Sequence, residues 1–377
     1  MNKANPSASQ VVRIKGNHYQ MGYQHGRQVR PLRPQIIKAI EARFARIAQD
    51  NPDEAFERLV QETQQVVHAV DPSTVGFIRG QADGLELEFE WLMHYNLVNF
   101  LRDALTTRRQ LSSTPSTYGE DYEGCTTWAV NGSASADGQP IVVKNRDYHL
   151  EHLPLQIVVR AEPAVGHRYM YVTSAGNPGV FVAGINEAGL AVVDTHVPCP
   201  NVGPGLPTFA LSMHILEEHG SVHSALAYLQ SVPRLGRNNL ILADAEGHMA
   251  VFENSHHQSA VLEAEASFLI ATNHFNSPAM KDCFVDINPP SLRGNTFERY
   301  KKVKGELTAA YGQIDVTMAQ RLMASHDGPL ASICRHPLPE SGSSTISTVV
   351  FLPAQRQMLF RHGPPCQGKY EAFDHLR

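Results

Sequence analysis

At 377 residues, with 32 basic and 37 acidic side chains and a formal net charge of −5, the chain is long enough to bury a large core and carries no block of one sign. That balance excludes the basic stripe of a nucleic-acid-binding surface, and no apolar run reaches the 18 or so residues of a spanning helix. The first ten residues lack the apolar core of a signal peptide, so a cytoplasmic protein is expected, without nucleic-acid or membrane partners.

Length alone suggests two or three domains, with one large sandwich as the alternative. Residues 18–106 carry apolar side chains at helical spacing: Ile36, Ile37, Ile40, Phe44 and Ile47 recur at three and four, as do Phe56, Leu59 and Val60 after a start at Pro52-Asp53. A further helix is predicted over 86–105, where Leu92, Met93, Leu97, Phe100 and Leu101 share a face. Residues 106–121, rich in Ser, Thr and charge and including Arg108-Arg109, read as an exposed loop. From Cys125 the period changes to two. A strand over 125–131, a turn at Asp137-Gly138 and a strand over 140–145 form a hairpin. Strands follow over 155–160, 168–173, 180–185 and 190–196, then helices over 208–218 and 222–230, then strands over 239–243, 249–253 and 268–272. Helices over 295–304 and 317–325 and a hairpin of 346–352 with 358–361 close the chain. Strands and helices grouped in runs imply separate layers and an α+β class.

The five cysteines, Cys125, Cys199, Cys283, Cys334 and Cys366, are widely spaced and odd in number, which fits neither a disulfide framework nor zinc-ligand spacing. His256-His257 and the isolated histidines show no ligand pattern either, so no metal is expected.

The stretch with most chemistry in it is Glu123-Gly124-Cys125-Thr126-Thr127-Trp128, where a polar segment gives way to a strand. A small buried hydrophobe is the plain reading of such a cysteine. The sharper one is that the chain cuts itself between Gly124 and Cys125, leaving Cys125 with a thiol and an α-amine whose ordinary pKa values, about 8.5 and about 7.7 to 8.0, allow them to share a proton. At the far end of the hairpin, Lys144-Asn145-Arg146-Asp147 would return Asp147 beside the cysteine to hold the new ammonium; solvated charges at a strand end are the alternative. Ala271-Thr272-Asn273-His274-Phe275 puts polar residues directly after an apolar strand end, with Asn273 as an oxyanion donor or a turn former and His274 as a candidate base.

Eight short segments, in order, resemble the acyl-coenzyme A:6-aminopenicillanic acid acyltransferase family of N-terminal-nucleophile hydrolases. They are Gly22-Tyr23-Gln24-His25-Gly26, Ile78-Arg79-Gly80-Gln81-Ala82-Asp83-Gly84, Gly124-Cys125-Thr126-Thr127, Asn145-Arg146-Asp147, Gly184-Ile185-Asn186-Glu187-Ala188-Gly189-Leu190, Thr272-Asn273-His274, Ser332-Ile333-Cys334-Arg335 and Gly363-Pro364-Pro365. The resemblance implies a four-layer αββα sandwich and makes Cys125 the nucleophile, Asp147 the family's aspartate, Asn273 the oxyanion asparagine and Ser255 a serine used in processing and activity. Arg146 stands where an aromatic residue is usual. The family's arginine shortly before the penultimate strand is missing from Ser341-Gly342-Ser343-Ser344-Thr345, which leaves Arg146 or Arg335 to replace its charge.

The expectation is therefore a self-processing enzyme of two chains that stay associated in one globular unit: a mainly helical piece, 1–124, and a sheet-bearing catalytic piece, 125–377. It needs no cofactor and acts on a small N-acyl amide, or transfers an acyl group from acyl-coenzyme A to a small amine. Homo-oligomerisation stays open. The competing readings are an uncut thiol hydrolase with His274 as base, and a non-enzymatic binding protein on the same fold.

Overall fold

A computed structural model describes residues 9–111, 124–180, 182–264, 268–337 and 342–374, with the backbone alone over 108–111. In chain order the elements are β1 (Val11–Gly16), α1 (His18–Val29), α2 (Arg33–Gln49), α3 (Glu54–Val70), α4 (Pro72–Leu85), α5 (Phe89–Leu101) and α6 (Asp103–Leu111). Next come β2 (Gly124–Val130), β3 (Ile141–His149), β4 (Gln156–Pro163), β5 (Tyr169–Ser174), β6 (Ala183–Asn186) and β7 (Ala191–His196). They are followed by α7 (Thr208–Glu218), α8 (Val222–Ser231), β8 (Asn238–Ala243), β9 (Met249–Asn254), β10 (Ser259–Glu263) and β11 (Phe268–Ala271). The last are α9 (Asn295–Ala309), α10 (Val316–Met323), the single turn α11 (Gly328–Ala331), β12 (Ser343–Leu352), β13 (Gln357–His362) and β14 (Glu371–Asp374).

The strands form two sheets, one of order β1-β4-β5-β6-β7-β8-β9-β10 and one of order β11-β2-β3-β12-β13-β14. All pairings are antiparallel except β1 with β4. Successive side chains on a strand face opposite ways, and here both faces are apolar. Ile157, Tyr171, Leu240 and Phe252 pack against the helices of α1 to α5, α7 and α8, while Val158, Val172, Ile241 and Val251 face the second sheet. From the second sheet Ala129, Val142, Val349 and Phe360 meet them, and Trp128, Val143, Ile270 and Val350 turn outward to Val303, Leu307 and Met318 of α9 and α10. Three apolar layers between four structural ones make this the αββα sandwich that the resemblance implies.

Three strands carry no period strong enough to read from sequence: β1, β10 and β14, all short and at or next to sheet edges. β1 adds one strand to the otherwise helical described residues before β2. The helix predicted over 86–105 is two, broken at Arg102, and residues 106–111 are the end of α6 rather than a loop; 112–121 lie outside the described residues. Spacing hid one further arrangement, since Cys334 and Cys366 converge with His326 and His336 despite their separation in the chain. Among the described residues no helix is long and apolar enough to cross a membrane.

The segments 22–26 and 78–84 are where α1 and α4 touch. A Cβ at Gly22 would lie 2.0 Å from the Phe77 carbonyl oxygen, and one at Gly80 would lie 2.0 Å from that of Tyr19. The helices cross backbone to backbone, so neither neighbour can move aside as a flexible side chain would. Gly80→Ala should therefore lower stability by about 3 kcal/mol in urea unfolding, the upper range for overpacking, and a loss below about 0.5 kcal/mol would contradict this contact.

Candidate active site

Register builds the centre of the second sheet. β2 and β3 pair Gly124 with Asp147, Cys125 with Arg146 and Thr126 with Asn145. On the far side of β3, β12 sets Thr345 opposite Asp147, and on the far side of β2, β11 sets Ala271 opposite Thr127. The chain leaving β11 thus runs beside Thr126 and Cys125 and brings Asn273 to the cysteine. The hairpin read from sequence is real, and its second strand runs on to His149, which carries Asp147 within the sheet rather than onto a solvated turn.

Asn273 meets Cys125 through its backbone. The Cys125 N–H donates to Asn273 Oδ1 at 3.0 Å, while Asn273 Nδ2 donates to the His196 carbonyl of the facing sheet at 2.7 Å. Asn273 is itself fixed by its own N–H, which donates to Thr296 Oγ1 at 2.8 Å. Asp147 is fully buried and accepts from Thr345 Oγ1 at 2.5 Å through Oδ1; its Oδ2 is buried without a hydrogen-bond partner. Burial raises the Asp147 pKa, opposed by the charges of Arg335 and Arg299 and by the Thr345 hydroxyl.

Arg299, on the buried face of α9, escaped the sequence reading. Its Nη1 donates to the Cys125 carbonyl at 2.5 Å and to Thr126 Oγ1 at 2.9 Å, and its Nη2 donates to Asn273 Oδ1 at 2.6 Å. Asn295, one turn earlier on the same helix, accepts from Nε and Nη2 at 3.3 and 3.1 Å. A lone arginine in a helical run is usually a surface residue, and no feature of 295–304 marks this one as only 1 % exposed.

Cys125, Lys144, Arg146, Asp147, Asp194 and His196 line a cavity of about 50 Å³ between the sheets. Lys144 Nζ is buried against the Asp194 carboxylate, with the Asp194 carbonyl at 2.6 Å and the Val182 carbonyl at 3.3 Å. Arg146 Nη1 reaches Ser174 Oγ at 3.0 Å and Gln156 Oε1 at 3.2 Å, and its guanidinium lies over the Tyr148 ring. The Cys125 thiol is pushed up to about 11 by burial, with Lys144 opposing, Asp194 and Asp147 adding to the rise and Arg146 opposing it. Such a thiol is protonated at neutral pH. Asp147, Asp194, Lys144 and Arg146 thus surround a buried thiol within one cavity, a clustering of charge of the kind found at functional sites.

The remaining predicted residues sit elsewhere. Arg335 flanks Thr345, donating from its backbone N–H to Thr345 Oγ1 at 2.8 Å and accepting the Thr345 N–H at 3.0 Å, so a positive charge stands near Asp147 without an arginine in the 341–345 segment. Ser341 lies outside the described residues. His274 does not line the cavity; its Nδ1 is 2.9 Å from Thr296 Oγ1 and its ring packs on Phe297, and burial pushes its pKa down to about 4. Ser255 does not line the cavity either. It closes the turn between β9 and β10, with Oγ donating to the Gln258 carbonyl at 3.2 Å.

A family model, that of the acyl-coenzyme A:6-aminopenicillanic acid acyl-transferase, matches residues 134–366. The chain belongs to this family. The match takes in Asp147, Asn273, Arg299 and Arg335, and Gly124-Cys125 lies just before it. An uncharacterized protein of Archaeoglobus fulgidus is 22% identical over 354 residues, 83% of this chain; the chain spans 57% of that relative's length. Among solved structures, a variant of a conjugated bile acid hydrolase from Clostridium perfringens is similar with a TM-score of 0.49 and 12% identity over 66% of this chain and 92% of that one. A penicillin V acylase from Agrobacterium tumefaciens follows with a TM-score of 0.43 and 16% identity over 66% of this chain and 86% of that one.

Arg299→Met, made in a Cys125→Ala background so that no thiol chemistry alters the chain, removes donors from four buried oxygens, those of the Cys125 carbonyl, the Thr126 hydroxyl and the Asn273 and Asn295 side chains. It should cost about 3 kcal/mol in urea unfolding, and a cost below about 0.5 kcal/mol would show that the Cys125 and Asn273 oxygens do not depend on it.

Proposed function

We propose that the chain is a self-processing N-terminal cysteine amidohydrolase or acyltransferase with Cys125 as nucleophile. The observation that carries this reading is the setting of the Cys125 nitrogen, which donates to Asn273 Oδ1 in a strand whose Gly124 is paired in register with Asp147, a residue with one buried carboxyl oxygen that has no hydrogen-bond partner. An amide nitrogen gains little from such a carboxylate. The ammonium released when the 124/125 bond breaks would gain a charge-assisted hydrogen bond from it.

In processing, the Cys125 sulfur bonds to the Gly124 carbonyl carbon as the carbon–nitrogen bond breaks, and the thiol proton ends on the departing nitrogen. Water then hydrolyses the thioester, giving a Gly124 carboxylate and a free Cys125 thiol. The pieces 1–124 and 125–377 remain together because β1 pairs with β4 and α1 to α5 share one apolar core with the first sheet. In turnover the α-amine takes the thiol proton, the thiolate attacks the acyl carbonyl, and as the acyl carbon–nitrogen bond breaks the leaving amine takes that proton from the α-ammonium, which leaves a Cys125 thioester. Asn273 donates to the oxyanion from Nδ2, and water or an amine resolves the thioester.

A cavity of about 50 Å³ accommodates little more than a water molecule, whereas ligand pockets run from about 300 Å³ upward. Substrate entry in this account follows cutting, when the end of the first piece can leave the Cys125 sulfur. Hydrolysis of a small N-acyl amide is favoured over transfer; acyl-coenzyme A with a small amine is the second reading. An uncut thiol hydrolase using His274 gains no support from that residue's position away from the cavity and its low pKa.

Purified, mass-checked protein should hydrolyse members of a panel of N-acyl amides, and Asn273→Ala should lower kcat by about 10² to 10³. Turnover of acyl-coenzyme A plus amine with every amide inert would replace hydrolase by transferase. Full turnover by Cys125→Ala would overturn the nucleophile assignment.

A further inference from the structure

Away from the Cys125 cavity, His326, Cys334, His336 and Cys366 bring one ligand atom each within 4.8 Å of one another. His326 follows α10, Cys334 and His336 lie on the segment that approaches β12, and Cys366 follows β13. The Cys334 and Cys366 sulfurs are 3.6 Å apart, and the Nε2 atoms of His326 and His336 are 3.0 Å apart. His336 Nε2 is 3.3 Å from the Cys366 sulfur and 3.9 Å from that of Cys334.

Four of the six separations lie near those of a tetrahedron, and the other two, from His326 to the sulfurs, are within 4.8 Å. With zinc–sulfur bonds of about 2.3 Å and zinc–nitrogen bonds of about 2.0 to 2.1 Å, tetrahedral angles place sulfurs about 3.8 Å apart, nitrogens about 3.3 Å apart and mixed pairs about 3.6 Å apart. A disulfide accounts for the cluster less well. It would require the sulfurs to close to about 2.05 Å, and it would leave both imidazole nitrogens facing the same point without a reason. One N–H···N bond between the histidines would satisfy them and leave the two thiols beside them unexplained.

We propose that His326, Cys334, His336 and Cys366 bind one zinc ion as a closed, structural Cys2His2 site. Binding would release the two thiol protons to solvent, and the two thiolates would neutralise the dication, so a buried Cys334 and exposed Cys366 and His326 share it at little electrostatic cost. With all four positions filled by protein, the ion has no open place for substrate. It stitches three segments together, and Arg335 lies between two of the ligands. The Arg335 backbone holds Thr345, which donates to Asp147, so the metal braces the wall behind the aspartate from outside the cavity.

The test uses full-length protein made without a polyhistidine tag in zinc-supplemented medium. Elemental analysis should find about one zinc per chain, Cys366→Ser and His336→Ala should each reduce that below about one tenth, and Cys283→Ser should leave it unchanged. Replacement by cobalt should give a thiolate-to-metal charge-transfer band and intense tetrahedral ligand-field bands, both lost in Cys366→Ser. Because Cys366 is exposed, its serine variant tests ligation with little disturbance of packing. The proposal is overturned if wild-type protein neither carries stoichiometric zinc nor takes up cobalt with those bands. It is also overturned by an intact mass short of two hydrogens, which marks a Cys334–Cys366 disulfide, or by full zinc content in Cys366→Ser.

Discussion

Arg299 carries its charge into the second sheet almost out of reach of water and spends its donors on the Cys125 carbonyl, the Thr126 hydroxyl and the side-chain oxygens of Asn273 and Asn295. Burying a guanidinium costs several kcal/mol unless hydrogen bonds and opposite charge compensate it. The compensation ties α9, the start of β2 and the end of β11 into one unit. Asn273 Oδ1 accepts from the Cys125 nitrogen and from Arg299 at once, so the nitrogen, the oxyanion candidate and the cation cannot shift independently. Burial raises the pKa of Asp147, the register partner of Gly124, and Arg335 and the same Arg299 cation oppose that rise.

Two opposing electrostatic effects meet at the cysteine. Burial outweighs Lys144 and Arg146, and the thiol stays protonated with its pKa near 11. On the proposed reading this changes when the 124/125 bond opens, because a new amine of pKa about 7.7 to 8.0 then sits on the same residue and supplies the base that His274 is too remote and too acidic to be. In the same proposal the cut frees space that the small cavity lacks. On that reading, processing and activation are coupled through a single peptide bond at the start of a buried strand.

Much of this arrangement could be read from the chain, for identifiable reasons. The change from a period of three and four to a period of two at Cys125 marks the passage from helical layer to sheets, and both survive in the structure because the layers bury their apolar faces. Asp147 could be placed because a hairpin has only one return path. Asn273 was legible as a polar residue at an apolar strand end, although its contact with the backbone nitrogen rather than the thiol was not. Arg299 was invisible, since burial of a helix's polar position depends on what the sheet beneath presents. Lys144 with Asp194, and the pairing of β1 with β4, likewise depend on contacts between segments far apart in sequence. The convergence of His326, Cys334, His336 and Cys366 was hidden because ligand spacing rules assume neighbouring residues, and here three separate segments supply them. Ser255, matched by order along the chain, closes the turn between β9 and β10 and does not line the cavity.

The central claim is that Cys125 becomes a chain terminus. Intact-mass analysis of wild-type protein beside Cys125→Ala tests it directly. The account predicts two chains from the wild type, 1–124 and 125–377, with Cys125 as the first residue of the second, and one uncut chain from the variant. A wild-type protein that turns over substrate while its 124/125 bond remains whole would contradict it.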